Sequence, residues 1–177
     1  INNTYNIVNL LNGIVAYNRN KIKNNIDFRH DISNTIPDML YGDSIKVKQI
    51  INSVIDNSIK NTSEGFIELR VSCIVKYDIC RLIISVEDSG TGIDLVKQNK
   101  ILSDNSDLDI NEIKVKDDLI VNLKTVNKLI NMIGGTLSIE SLNNNGTTIN
   151  ITLDQKIVQR GGTNLDETID SYNKYMK

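Results

Sequence analysis

The stretch from Phe66 to Asp88 constrains the fold more than any other. Its two arms, about 66–76 and 80–88, alternate apolar and polar residues with a period of two, the spacing of a strand with one buried face. Ile67, Leu69, Val71, Cys73 and Val75 share a face in the first arm; Leu82, Ile84, Val86 and Asp88 share one in the second. Adjoining arms of this kind form a β-hairpin, and its apolar face has to be covered. The second row ends in a carboxylate. Asp88 stands where the next buried residue belongs, and a buried carboxylate needs a partner, which a ligand's donor can supply. Directly after it comes Ser89-Gly90-Thr91-Gly92-Ile93.

The cover is expected from helices. Ile7, Leu10, Leu11, Ile14 and Tyr17 recur at helical spacing, with Thr4 as the expected cap and Asn24-Asn25 as the end. A second helix runs from Asp43 or Ser44 to about Thr62, and Val47, Ile50, Ile51, Val54 and Ser58 form its stripe. At 100° per residue Asn57 lies at the edge of that stripe, with Ser53 and Lys60 on the same flank. A third helix spans about 117–133 and stops at Gly134-Gly135. Strands are expected at about 26–32, 136–141 and 147–153, a turn at 34–37, and a long polar loop at 94–116. The order is helix, strand, helix, hairpin, loop, helix, hairpin. It predicts an α+β fold: a two-layer α/β sandwich whose mixed, mostly antiparallel sheet carries its helices on one face beside a long lid.

The composition removes other classes. Twenty Lys and Arg against 22 Asp and Glu give a net charge of −2, too weak a field for a nucleic-acid partner. Aromatics are 5% with no Trp, so a base-stacking platform is not expected. The 25 Asn are scattered through periodic apolar segments, unlike a prion-like tract. No apolar run approaches a membrane span, and no signal peptide is visible, so no direct membrane insertion is expected. Cys73 and Cys80 read as reduced core residues.

Asn57, Lys60, Asp88, Gly90, Gly92 and Thr147 together fit a nucleotide. A neutral Asn offers Mg²⁺ an oxygen without adding charge beside phosphates. A Lys one turn on neutralises a phosphate. A buried Asp accepts the exocyclic amine of adenine, glycines let backbone approach the base, and Thr147 can bond a water or ring nitrogen there.

The segment 41–62, containing Asn57-Ser-Ile-Lys60-Asn-Thr62, resembles the Asn-containing box of sensor histidine kinases. Asp88-Ser-Gly-Thr-Gly-Ile93 resembles their first glycine box. Segments 129–141 and 146–153 resemble the closing part of the same domain. The resemblance covers about 4–158 and implies the Bergerat ATP-binding fold shared with gyrase B subunits and MutL. It implies ATP and Mg²⁺ as ligands, Asn57 as the metal ligand, Lys60 as a phosphate contact and Asp88 as the adenine contact. Gly90, Gly92 and Ile93 then shape the base pocket, and Thr147 supports it.

Three departures stand out. The family's second glycine box falls on Asp118-Leu-Ile120-Val-Asn122-Leu123, where every glycine is gone and Asp117 and Asp118 bring negative charge. The lid has no Phe, since none follows Phe66, and the general-base position four before Asn57 holds Ser53, a poor base. His30 sits in an expected strand and reads as an exposed residue, not a phosphoacceptor.

The expected function is the ATP-binding catalytic domain of a two-component sensor histidine kinase, with impaired or specialised nucleotide use. It would phosphorylate a His on a separate dimerisation domain, with a response regulator or receiver domain downstream. The alternative is a degenerate pseudokinase module acting as nucleotide sensor or scaffold. The chain reads as a cytoplasmic piece of a longer parent, itself free to be membrane-anchored. Residues 1–158 form the expected ATP-binding domain and 159–177 a linker with a short helix. In that helix Asn164 and Glu167 cap a face of Leu165, Ile169, Tyr172 and Met176, which either docks on the domain or leads into a neighbour.

Overall fold

In the computed structural model, residues 1–103, 118–142 and 144–158 are described. Seven strands and four helices make up the described fold: β1 (Asn3–Asn6), α1 (Ile7–Lys21), β2 (Ile26–Ile32), β3 (Met39–Gly42), α2 (Ser44–Asn61), β4 (Gly65–Lys76), β5 (Ile79–Asp88), α3 (Leu95–Leu102), α4 (Asp118–Met132), β6 (Thr136–Ser141) and β7 (Thr147–Ile157).

The strands form one sheet in the order β1-β3-β7-β5-β4-β2, with β6 also paired to β7. Only β2 with β4 is parallel among these pairs. The hairpin register places Ile67, Leu69 and Val71 opposite Asp88, Val86 and Ile84, all on the buried side. Helices α1, α2 and α4 cover that side, and Leu11, Ile14, Val47, Ile50, Ile51, Val54, Ile55, Leu123 and Ile130 are fully buried against it.

Local chemistry sets the helix ends. Asp43 caps α2 by accepting the Lys46 N–H at 3.0 Å. At the end of α4, Gly134 takes φ +75° and the Gly135 N–H reaches the Ile130 carbonyl at 2.9 Å, a left-handed cap that a side chain would resist.

Several expectations need correction. Thr4 does not cap α1. Residues 3–6 are a strand paired with β3, and Asn6 caps the helix through the Asn9 N–H at 2.9 Å. Helix α1 ends at Lys21, ahead of Asn24-Asn25. The turn at 34–37 leads into a strand, β3, that periodicity could not show in four residues. The expected loop at 94–116 opens with α3, capped by the Asp94 carboxylate on the Lys97 N–H. Strand β7 runs on to Ile157. His30 is an exposed strand residue, as expected, and meets Arg19 at 3.2 Å. Cys73 and Cys80 are free thiols, half-buried and buried. Asp117 and the tail from 159 lie outside the described residues. No described helix is long and apolar enough to cross a membrane.

Candidate functional site

The site forms where β5 runs out beneath α2. Asp88 is the last residue of β5 and is 5% exposed. Its carboxylate accepts the Gly90 N–H at 2.9 Å. The Ser58 hydroxyl on α2 and the Thr147 N–H on β7 face it as further donors. Burial raises its pKa above the usual carboxylate value, against the pull of those donors. A buried acid at the mouth of a pocket, an acceptor only when ionised, suits the recognition of a ligand amine. A cavity of about 200 Å³ opens here, lined by Asp88, Ser141, Gly146 and Thr147 among others.

The glycines hold this loop down. A Cβ on Gly90 would overlap the Asn61 carbonyl at the end of α2, and Thr91 donates to that same carbonyl at 3.3 Å. Gly92 takes φ +79° and leaves no room for a Cβ beside the Leu142 carbonyl. Across the loop, the Gly146 N–H donates to the Gly90 carbonyl at 3.0 Å, and the Asn144 N–H to Thr91 at 2.8 Å. The buried Ile93 donates its N–H to Ser141 Oγ at 2.6 Å. Ser141 Oγ in turn lies 3.0 Å from Thr147 Oγ1. Asp88, Gly90, Ile93 and Thr147 are therefore joined through hydrogen bonds with Ser141 and Gly146, and Gly92 packs against the Leu142 carbonyl beside them.

Asn57 sits on α2 next to Ser58 and is 3% exposed. Its Nδ2 donates to the Ser53 carbonyl at 3.1 Å. That bond commits the amide's donor to the helix and leaves Oδ1 as its acceptor, the atom a hard cation takes. Among the described residues no group of three His, Cys, Asp or Glu side chains forms a metal cluster. A Mg²⁺ ion held by one neutral Asn and a ligand's phosphates requires none.

Lys60 is not brought to Asp88. It is 52% exposed, and its Nζ lies 3.2 Å from Asp56 Oδ2, while Lys21 takes the other oxygen at 3.1 Å. Ser53 is half-buried and lines an open groove of about 830 Å³ between α1 and α2. A serine hydroxyl is a poor general base there. In α4, Asp118 is exposed, Asn122 half-buried, and Ile120 2% exposed within the core. Where a glycine-rich helix start would present bare backbone, this chain packs an isoleucine.

Three participants escaped the sequence reading. Ser58 is counted there as a small member of the apolar stripe, yet its hydroxyl faces Asp88. Ser141 bridges the two loops. Thr62 Oγ1 is buried beside Gly90 with no hydrogen-bond partner among the described residues. A polar residue inside an apolar period is the one signal that marks Ser58 and Thr62 in advance.

The family model described as histidine kinase-, DNA gyrase B-, and HSP90-like ATPase matches residues 42–157. Signal transduction histidine-protein kinase BarA of Escherichia coli (strain K12) is 27% identical over 136 residues, 74% of this chain and 15% of that protein. Peroxide stress-activated histidine kinase mak2 of Schizosaccharomyces pombe is 25% identical over 128 residues, 70% of this chain and 6% of its own length. The chain thus spans a small part of these relatives. Among solved structures, full-length ShkA in complex with AMPPNP superposes with a TM-score of 0.70 at 18% identity, covering 89% of this chain and 32% of that one. The nucleotide-free catalytic domain of the histidine kinase ThkA gives 0.63 at 21% identity, covering 88% and 98%.

Proposed function

Because the chain belongs to the histidine kinase-, DNA gyrase B- and HSP90-like ATPase family, we propose that residues 1–158 form the ATP-binding catalytic domain of a sensor histidine kinase. The observation that carries this is the buried Asp88, ringed by the Gly90 amide and the Ser58 and Thr147 donors, with Asn57 on the adjoining turn of α2. In this reading the Asp88 carboxylate accepts the adenine amine, and the loop fixed by Gly90, Gly92 and Gly146 sets the base plane. Ser141 and Thr147 fill the polar side of the pocket. Asn57 Oδ1 would hold Mg²⁺, which would offset phosphate charge. Lys60 reaches a phosphate after leaving Asp56. The γ-phosphoryl then passes to an imidazole nitrogen of a His on a dimerisation domain outside this chain, and ADP departs. A receiver domain downstream would take the phosphoryl group on.

A second reading rests on Ile120. With that side chain in the core where phosphates need open backbone amides, the domain would bind nucleotide without efficient transfer and act as a sensor or scaffold. Titration with a non-hydrolysable ATP analogue, with and without Mg²⁺ and beside ADP, tests both. Mg²⁺-dependent preference for the triphosphate supports the kinase reading. Equal binding of ADP and the analogue favours the sensor. No binding at millimolar nucleotide rejects both nucleotide readings.

A further inference from the structure

Asparagine is chemically labile, and most so before glycine, which has no side chain to shield the backbone nitrogen that attacks the amide. The chain holds two such pairs, Asn12-Gly13 and Asn145-Gly146. The fold treats them differently. Asn12 and Gly13 lie inside α1, where helical geometry keeps the Gly13 nitrogen in the ladder and away from the side chain before it. Asn145 and Gly146 lie in the turn between β6 and β7. Asn145 is exposed and forms part of the wall of the cavity beside Asp88.

Gly146 is fixed by its surroundings. It takes φ +80°, and a Cβ there would overlap the Asp88 carbonyl. Its N–H donates to the Gly90 carbonyl at 3.0 Å, and its carbonyl accepts from Ser141 Oγ at 2.9 Å. The nitrogen is therefore held away from Asn145 while the two loops stay joined, and it is freed when this turn opens locally.

We propose that Asn145-Gly146 is a self-deamidation site built into the nucleotide loop, released when Gly146 leaves Gly90. The freed Gly146 nitrogen gives its proton to solvent and bonds to Asn145 Cγ. The Cγ–Nδ2 bond breaks, ammonia departs, and a cyclic imide remains. Water opens the imide at either carbonyl, leaving aspartate or isoaspartate. The net change is an amide and water becoming a carboxylate and ammonium, with no oxidation. Either product alters the pocket. The new carboxylate joins Glu87, Asp88 and Glu140 around one small cavity, where like charges oppose the ionised Asp88 and the approach of a polyanion. Isoaspartate also lengthens the main chain just ahead of Gly146, where the Asp88 carbonyl leaves no slack. The modification stands on the loop geometry; its effect on nucleotide affinity rests on the ATP-binding reading above.

Peptide mass mapping of the full chain, held in mildly alkaline buffer and sampled over time, tests this. In the folded chain Asn145 is expected to convert about tenfold or more faster than Asn12, and about tenfold or more slower than in the urea-unfolded chain, where the two sites convert alike. Asn145→Gln, whose longer side chain closes an imide poorly, should stay unmodified. Conversion should weaken ATP-analogue binding by about tenfold or more, while the Asn145→Gln chain binds equally before and after the same incubation. If Asn145 converts no faster than Asn12 in the folded chain, the site is overturned. Conversion at the unfolded rate overturns the hold by Gly90. Unchanged affinity in the converted chain overturns the effect on the pocket. A fresh chain that binds no nucleotide removes the ATP-binding reading instead, and the mass measurement still decides the modification.

Discussion

Replacing Asp88 by Asn should separate binding from stability, and in opposite directions. The two side chains have nearly the same shape, but Asn puts an NH₂ where one carboxylate oxygen accepts. A hydrogen bond to a charged group contributes about 1.5–3 kcal/mol, and a donor left facing the ligand's own donor costs roughly 1–3 kcal/mol more. At 1.4 kcal/mol per tenfold, ATP-analogue affinity should fall by about a hundredfold or more. Stability should move the other way. Burial holds the Asp88 carboxyl above its ordinary value of 3.8. A carboxyl whose pKa rises on folding supports the folded state while protonated, below that ordinary value, and withdraws its support as pH climbs through the raised one. Asn stays neutral throughout. Denaturant melts of both proteins between pH 4 and pH 8 should therefore show the variant gaining on the parent as pH rises. Calorimetric titration supplies the binding arm. A variant that binds within threefold of the parent removes Asp88 from base recognition. A variant less stable by the same amount at every pH shows the carboxylate to be a structural strut, and the desolvation argument fails.

Other outcomes follow from the same geometry. Asp56→Asn releases Lys60 from an exposed pair worth less than about 1 kcal/mol, so the melt should barely move while triphosphate affinity rises severalfold and adenosine affinity does not. Gly92→Ala must hold φ +79° against the Leu142 carbonyl and should lower stability by about 1–3 kcal/mol, visible as a drop in Tm. Ile120→Gly empties a core position inside α4 and should cost roughly 3–5 kcal/mol without raising ATP-analogue affinity, showing that the lost glycine box is not restored by one substitution.

What was legible followed the length of the pattern. Helix α2, with Val47, Ile50, Ile51 and Val54 over 18 residues, and the hairpin β4–β5, with two full alternating rows, announce themselves. Strands β1 and β3 are four residues each, and their pairing partners lie far off in the chain, so neither shows a period. Helix α3 hides because Lys97, Gln98, Asn99 and Lys100 dilute its apolar side, and only Gln98 and Ile101 are buried. In the site, Asp88 was readable because a carboxylate broke an apolar row at a glycine turn. The pairing of Lys60 with Asp56 was not, since both the outward and the inward rotamer leave the same sequence.

Strand β7 is among the last parts of the described chain to be synthesised, yet it sits in the middle of the sheet, between β5 and both β3 and β6. Until residue 157 leaves the ribosome, the sheet exists as two pieces, β1 with β3 and the β5-β4-β2 trio. During that interval β5 presents an open edge ten residues long, backed by Leu82, Ile84 and Val86. Such an edge invites pairing with another nascent chain. A ribosome stalled before residue 147 would leave a product prone to aggregate, and chaperone demand during synthesis should peak there.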